Sequence, residues 1–129
     1  MKRRNIGTGT TWEDEVGYSR AVKTGGEIHV SGTTATSHDG TIVGLGDPYR
    51  QTKQILSNIE DALSELDASL TDIVRTRIYV VDIEDWETVG RAHGELLGEV
   101  RPATTMVEVE QLIEPELLVE IEAVARVDT

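Results

Sequence analysis

Acid–base and anion-binding side chains are concentrated on two segments with strand-like alternation. Glu120 and Glu122 stand two residues apart in one segment, and Arg75 and Arg77 do so in the other. Side chains two apart on a strand share a face of the sheet, so each pair is expected to point to one side. A carboxyl group can position water and move a proton, and a guanidinium can hold a carboxylate through two hydrogen bonds. The alternative is that these residues form ordinary ion pairs on an outward strand face.

Other catalytic chemistries find little support in the spacing of residues. No two of the three histidines, His29, His38 and His93, are separated by one or by three residues, the spacings that place two imidazoles on one metal. We therefore expect no metal site. Ser31 has no Asp and His at triad spacing, and no glycine run has the form of a phosphate-binding loop. The chain has no cysteine, which excludes disulfides, thiolate metal sites and a cysteine nucleophile.

The chain is strongly acidic. Its 129 residues include 24 Asp and Glu but only 12 Lys and Arg, which gives a formal net charge of −12 at pH 7. A surface of that sign repels phosphate backbones and anionic membranes, so we expect neither a nucleic-acid partner nor a membrane partner. The excess of acids would suit a salt-rich cytoplasm, where ions screen the repulsion, or equally an ordinary acidic protein.

Length and hydropathy indicate one folded unit. A chain of 129 residues is one domain of ordinary size, and no apolar run approaches the roughly 20 residues that a membrane-spanning helix needs. The first residues are basic but no apolar stretch follows them, so no signal peptide is visible and we expect a cytoplasmic protein. Residues 1–15 are polar and rich in Thr and Gly, so we expect a loosely held arm before a single domain of residues 16–129.

Two helices are predicted in the middle of the chain. Asp47 and Pro48 are favourable residues for an N-cap and a first helical position, and apolar residues recur behind them at helical spacing. Asp85 is expected to cap a second helix that runs to about residue 98.

Strand-like segments surround these helices. They span residues 19–23, 27–31, 73–81, 101–109 and 117–127. In the third segment two sets of side chains face opposite ways, namely Val74, Thr76, Ile78 and Val80 against Arg75, Arg77, Tyr79 and Val81. The element order predicts an α+β fold in which one sheet carries both helices on one face. The opposite face, which carries Arg75 and Arg77, would remain exposed and half apolar. Such a sheet face is usually covered by another subunit, so we expect an oligomer.

Six short segments, taken in order, make the sequence recognisable. They are Gly17-Tyr18, Ile28-His29-Val30-Ser31-Gly32, Asn58-Ile59, Arg-Ile-Tyr-Val-Val-Asp at 77–82, Arg-Pro-Ala-Thr-Thr-Met-Val-Glu-Val at 101–109 and Val-Glu-Ile-Glu-Ala at 119–123. Together they cover residues 17–127 and resemble the Rid/YjgF family, the reactive-intermediate deaminase family, which is also labelled endoribonuclease L-PSP. Each segment alone is weakly specific, whereas six in register are a strong resemblance.

The resemblance implies a chorismate-mutase-like α+β fold and a homotrimer. Three sheets would pack around the threefold axis, with clefts for small molecules between neighbouring subunits. The implied activity is the hydrolysis of reactive enamines and imines, such as 2-aminoacrylate, to a keto acid and ammonia, with no metal or organic cofactor. Such an activity would serve metabolite damage control.

The resemblance also implies roles for residues of the cleft. Tyr18 matches a tyrosine of the family's cleft, and Ser31 with Gly32 matches its Ser-Gly at the end of the second strand. Glu120 matches the acidic residue that holds or protonates the attacking water, and is therefore the implied catalytic residue. The family's deaminases carry an arginine that clamps the substrate carboxylate, at a position that is Thr104 here.

Two arginines are candidates to replace that clamp. Arg77 lies on the sheet face expected to line the cleft, and Arg101 would reach the cleft of an adjacent subunit. The alternative for Arg77 is a salt bridge to Glu120 or Glu122 across the interface. Within one chain, Arg101 is roughly 10 Å along an extended strand from residue 104 and lies on the opposite face.

The hydroxyls of Thr104 and Thr105 are further candidates for substrate binding. The alternative is that they are present because threonine favours strands. A neutral hydroxyl at position 104 would suit a neutral polar ligand better than a carboxylate.

The sequence therefore favours a hydrolase, a deaminase, for small enamines, imines or related C–N metabolites at intersubunit clefts. The alternative is a trimer of the same fold that binds a small metabolite, or regulates through it, without efficient catalysis. The missing arginine separates the two functions, because a deaminase for imino acids needs a cation for the carboxylate.

Overall fold

The chain folds around one six-stranded sheet. The computed structural model describes residues 2–128, so Met1 of the expected arm and Thr129 of the expected domain lie outside the described residues. The strands are β1 (Arg3–Ile6), β2 (Ala21–Thr24), β3 (Glu27–Thr33), β4 (Ile73–Val80), β5 (Ala103–Glu108) and β6 (Val119–Arg126). The helices are α1 (Thr11–Val16), α2 (Pro48–Glu65) and α3 (Trp86–Leu97), with 3-10 turns at Leu70–Asp72 and Ile83–Asp85.

The sheet has the strand order β1-β2-β3-β6-β4-β5, in which the β4–β5 pairing is parallel and the others are antiparallel. The long helices α2 and α3 pack on each other and bury their apolar sides in a core shared with the sheet. Ile55 of α2, Val89 of α3 and Ile121 of β6 belong to that core. The predicted architecture, one sheet with two helices on one face, is confirmed.

Helix α2 begins and packs as its sequence predicts. The Asp47 side chain accepts a hydrogen bond from the backbone N–H of Arg50 at 3.1 Å, and Pro48 occupies the first turn. Ile55 and Ile59 are fully buried, which places the apolar stripe against the sheet. Within residues 2–128 no helix is both long enough and apolar enough to cross a membrane.

The start of α3 differs from the prediction. Asp85 is the N-cap residue, but its side chain makes no capping hydrogen bond. The Asp82 side chain instead accepts a hydrogen bond from the N–H of Glu84 at 2.9 Å, which stabilises the 3-10 turn Ile83–Asp85 ahead of the helix. The predicted N-cap position of α3 is therefore confirmed, but the expected side-chain hydrogen bond is made by Asp82 at the start of the 3-10 turn instead.

Strand β1 corrects the expected late start of the fold. Arg3–Ile6 pairs antiparallel with β2 and forms one edge of the sheet. Arg4 also donates a hydrogen bond to the carboxylate of Asp67 at 3.1 Å. This part of residues 1–15 is therefore held by the sheet, although the tetrapeptide has no apolar alternation that would have predicted a strand. The division into an arm and a domain of residues 16–129 stays a prediction.

Strand β4 has the two predicted faces, with one exception. Thr76 and Ile78 are buried on the helix side, while Arg77 and Tyr79 lie half-exposed on the other side. Val74 was expected on the helix side, yet its side chain is exposed. The register of β4 against β6 shifts near this residue, and such an irregularity turns a side chain away from the face that alternation assigns to it.

A buried amide ties two loops to helix α2. Gln51 is fully buried, and its Nε2 donates hydrogen bonds to the carbonyls of Gly44 at 3.2 Å and Glu116 at 2.9 Å. Its Oε1 accepts a hydrogen bond from the N–H of Leu118 at 2.8 Å. Because a buried main-chain group without a partner is costly, this one side chain fixes the loop before α2 and the entry to β6 together.

Candidate active site

A wide groove lies beside β3 and β6. Four of the residues predicted for the site line it, namely Tyr18, Ser31, Gly32 and Glu120. Its volume is about 1840 Å³ and it is open to solvent. This is larger than the roughly 300–1,000 Å³ of typical small-molecule sites, so one chain alone leaves the groove incompletely closed.

Glu120 lies against the backbone of Gly32. A Cβ atom built on Gly32 would overlap Oε2 of Glu120 and would lie 3.0 Å from its Cδ, so only glycine leaves room for this carboxyl group. The register between β3 and β6 shifts between Val30 and Thr33, which places one extra residue of β3 at this point. An irregularity of this kind bends the strand and changes the direction of the neighbouring side chains.

The carboxyl group of Glu120 is half-buried, and this burial raises its pKa above the ordinary value of 4.5. The positive charge of Arg20 opposes the rise, and the negative charge of Glu122 adds to it. A glutamate in such a setting is a stronger base than an exposed one and is therefore better suited to accept a proton from water.

Replacing Gly32 by alanine is expected to push the Glu120 carboxyl toward solvent and to lower its pKa toward 4.5. The reason is that the new methyl group occupies the space of the carboxyl oxygen. Titration of the Glu120 carboxyl carbon by NMR measures the change. The matched control is Gly90→Ala in α3, where an added Cβ meets nothing within 4 Å. An unchanged Glu120 pKa in Gly32→Ala would contradict the assigned contact.

Arg20 is a groove residue that the sequence analysis did not single out. Its Nη2 donates a hydrogen bond to the carbonyl of Gly32 at 2.7 Å, and its guanidinium lies 5.8 Å from the centroid of the Tyr18 ring. Tyr18 and Arg20 are two residues apart in a segment that leads into β2. Side chains at this spacing point to the same side of an extended chain, so the position of Tyr18 could have indicated Arg20 as a groove residue. The resemblance drew attention to Tyr18 alone.

Tyr79 and Glu122 also line the groove, and they bind to each other. The Tyr79 hydroxyl donates a hydrogen bond to Glu122, and this bond, followed by burial, raises the pKa of Tyr79. Arg77 donates to the other carboxylate oxygen of Glu122 at 3.4 Å. Arg77 therefore makes, within one chain, the kind of salt bridge that was the alternative to a clamp role, and it is not among the groove-lining residues.

The three remaining predicted binding residues, Arg101, Thr104 and Thr105, do not line the groove of the described chain. Thr104 Oγ1 lies 2.8 Å from Thr76 Oγ1. Thr105 accepts a hydrogen bond from Arg75 at 2.9 Å. The substrate-binding roles predicted for these three residues, with Arg101 acting from an adjacent subunit, stay predictions.

Thr104 belongs to a polar cluster on the helix side of the sheet. Its neighbour Thr76 lies 3.0 Å from Nε2 of His93, through the Oγ1 atom that also faces Thr104. Burial lowers the pKa of His93, which favours the neutral imidazole. This cluster is separate from the groove, so the Thr104 hydroxyl and Glu120 do not act on one ligand within a single chain.

Helix α2 also holds one wall of the groove. Asn58 Nδ2 donates hydrogen bonds to the carbonyls of Thr34 at 3.1 Å and Thr36 at 2.8 Å, and its Oδ1 accepts one from Gln54. Thr34 and Thr36 line the groove. The Asn58-Ile59 segment of the resemblance thus contributes a loop anchor.

A family model described as endoribonuclease L-PSP matches residues 10–127 of the chain. The 3-aminoacrylate deaminase RutC of Acinetobacter baylyi is 33% identical over 110 residues, which cover 85% of this chain and 86% of that protein. The residues that the family model matches include Tyr18, Ser31, Gly32 and Glu120 of the groove.

Solved structures match over nearly the full length. One is a member of the YjgF/YER057c/UK114 family from Mycobacterium tuberculosis, 47% identical with a TM-score of 0.89, covering 98% of this chain and 100% of that chain. Another is a protein of unknown function of the Rid family from Yersinia pestis, 29% identical with a TM-score of 0.86, covering 98% and 100%. The predicted chorismate-mutase-like fold class is confirmed by these likenesses.

Proposed function

The chain belongs to the endoribonuclease L-PSP family, also called the Rid/YjgF family, and on that premise we propose that it hydrolyses small reactive imines or enamines. The observation that carries the proposal is the half-buried Glu120 carboxyl, which lies against Gly32 in a groove that Tyr18 and Ser31 also line. The similarity to a protein described as a 3-aminoacrylate deaminase supports the same class of reaction.

Imine hydrolysis consumes one water molecule and requires two proton movements. The water oxygen adds to the imine carbon and forms a carbinolamine, then the C–N bond breaks, the C=O bond forms and ammonia leaves. In our scheme the Glu120 carboxylate accepts the first proton from the attacking water and gives it to the nitrogen. It then carries the second proton from the new hydroxyl to the leaving nitrogen and ends as it began. The raised pKa makes the carboxylate a stronger acceptor for the proton of the attacking water.

We further propose that three copies of the chain assemble and close the groove between them. The groove is larger than a small-molecule site needs, and exposed apolar side chains stand among its lining residues. They are Trp12, Val16, Leu45 and Ile113. Burying them against a neighbouring copy would exclude water from the site and protect the intermediate from competing nucleophiles. We also propose that the protein is cytoplasmic, as the sequence predicts.

A second candidate function is binding of a small metabolite without efficient catalysis. Thr104 favours it, because this residue stands where the resemblance expects the carboxylate-clamping arginine. Its hydroxyl is already bonded to Thr76 and to the carbonyl of Pro102, so a neutral, largely satisfied group occupies that position. A module of this kind would bind a ligand in the same groove and leave it chemically unchanged.

The test of the proposed function is the decay of freshly generated iminopyruvate with and without the protein. We expect micromolar protein to accelerate the loss of iminopyruvate and the appearance of pyruvate and ammonia in equal amounts. An unrelated acidic protein at the same concentration is the control for general acid–base effects of the polypeptide. No acceleration with iminopyruvate or with 3-aminoacrylate would refute the hydrolase and favour the binding module.

A further inference from the structure

Arg20 carries a charge that no acid in the described chain neutralises through an ion pair. Within residues 2–128 no ion pair within 4.0 Å includes Arg20, and its charge acts on Glu13 and Glu120 only from a longer distance. The side chain is half-buried, and its Nε is buried without a hydrogen-bond partner among these residues. Withdrawing a charge from water is costly unless an opposite charge compensates it. Such an arginine is therefore suited to bind an anion from solution.

The guanidinium of Arg20 is also held in place before any ligand arrives. Nη2 is fixed by the 2.7 Å hydrogen bond to the Gly32 carbonyl, and the Tyr18 ring lies 5.8 Å away on the same side. A side chain that is already ordered loses less conformational entropy when it binds, so more of its interaction energy appears as affinity.

The charges around Arg20 restrict where an anion can bind. Arg20 is the one Lys or Arg among the groove-lining residues, against seven Asp and Glu. A carboxylate is therefore repelled along most of the groove and attracted at one point. That point adjoins the reacting group, because Arg20 donates to the carbonyl of Gly32 while the Glu120 carboxyl lies against the same residue.

We propose that Arg20 binds the anionic group of the ligand and selects for compounds that carry a carboxylate. This rests on the proposed function for the identity of the groove as the site. The alternatives within the chain are less suited, since Arg77 is already paired with Glu122 and Arg101 does not line the groove. Arg20, which immediately precedes β2, would thus bind the carboxylate that an arginine at position 104 of β5 would otherwise bind.

The experiment compares binding of pyruvate with binding of its neutral amide, pyruvamide, by NMR titration. In Arg20→Gln we expect the dissociation constant for pyruvate to rise about 10- to 100-fold, the worth of a charge-assisted hydrogen bond, and the constant for pyruvamide to stay unchanged. Arg20→Lys keeps the positive charge but lacks the planar guanidinium that donates two parallel hydrogen bonds, so we expect a smaller rise in the dissociation constant for pyruvate. Arg126→Gln, an exposed arginine outside the groove, controls for net charge and should bind both probes like the wild type.

Three outcomes would overturn the inference. They are equal pyruvate binding by the wild type and Arg20→Gln, equal losses for pyruvate and pyruvamide in Arg20→Gln, and no binding of pyruvate by the wild type. The result is separable from the proposed hydrolysis. A wild type that binds pyruvate through Arg20 but does not accelerate iminopyruvate decay refutes the hydrolase and keeps the anion site. Hydrolysis that Arg20→Gln leaves unaltered keeps the hydrolase and refutes the anion site.

Discussion

Replacing Glu120 by glutamine is expected to lower kcat/KM for iminopyruvate by about 100- to 10,000-fold, the usual contribution of a general acid–base group. Glutamine preserves the size of the side chain and its fit against Gly32, but it cannot accept a proton from water. Initial rates of pyruvate formation, compared at equal protein concentration, measure the effect. A variant within threefold of the wild type would remove Glu120 from the mechanism.

The matched control for this substitution is Glu87→Gln, because Glu87 is an exposed glutamate of α3 that does not line the groove. It makes the same change of charge without touching the buried carboxyl, so its rate should stay near that of the wild type. Circular dichroism and thermal unfolding of both variants show whether either substitution has disturbed the fold.

The pH dependence of the wild type supplies a second readout. Burial raises the pKa of Glu120 above 4.5, so the active carboxylate forms only as the pH rises through that higher value, and the rate should climb there. The same shift lowers stability, because the folded state binds this proton more tightly than the unfolded state. Stability from this group is present below pH 4.5 and is lost as the pH rises through the folded pKa. Glu120→Gln should show neither the rate increase nor this loss of stability.

Introducing a carboxylate on the uncovered sheet face is expected to dissociate the proposed trimer. Val124 of β6 is half-buried on the face that carries Glu120 and Glu122, away from α2 and α3. In Val124→Glu, three added charges would meet near the threefold axis with little water to screen them, and their repulsion would oppose assembly. Analytical ultracentrifugation should report about three times 14.2 kDa for the wild type and 14.2 kDa for the variant.

The control adds the same charge on the helical side of the molecule. Ser57→Glu lies at an exposed position of α2, so the mass should remain that of the trimer. A wild type that sediments as a single chain at moderate concentration would refute the proposed assembly. Because the groove is closed by neighbouring copies in our proposal, dissociation should also remove hydrolysis.

Local pattern was sufficient for most of the scaffold. The apolar stripe and the cap at Asp47 located α2, and alternation located β4 and β6, because burial of one side imposes a period on the sequence. Sequence pattern was not sufficient where a strand forms only because a neighbouring strand pairs with it. Strand β1 has no apolar alternation and exists because the free edge of β2 offers hydrogen bonds, and Val74 left its expected side at an irregularity that depends on two strands.

The site was predictable only in part. Tyr18, the pair Ser31-Gly32 and Glu120 come from three separate segments, and a family resemblance was needed to group them. The spacing of Arg20 from Tyr18 indicates a shared side, but it does not show that Arg20 makes no ion pair within residues 2–128. The roles predicted for Arg101, Thr104 and Thr105 stay predictions, because a single sequence does not show which residues of two copies would meet.

The side-chain amides of Gln51 and Asn58 on α2 have a consequence for how this scaffold can diversify. Gln51 and Asn58 fasten the neighbouring loops exclusively through main-chain carbonyl and N–H groups of those loops. Their attachment therefore depends little on which side chains most of these loop residues carry, apart from Gly44, whose positive φ and close approach to Gln51 require glycine. We therefore expect that loops of equal length that keep this glycine can be transplanted from one homologue to another, which would alter the selectivity of the groove while the helix and the sheet beneath are kept.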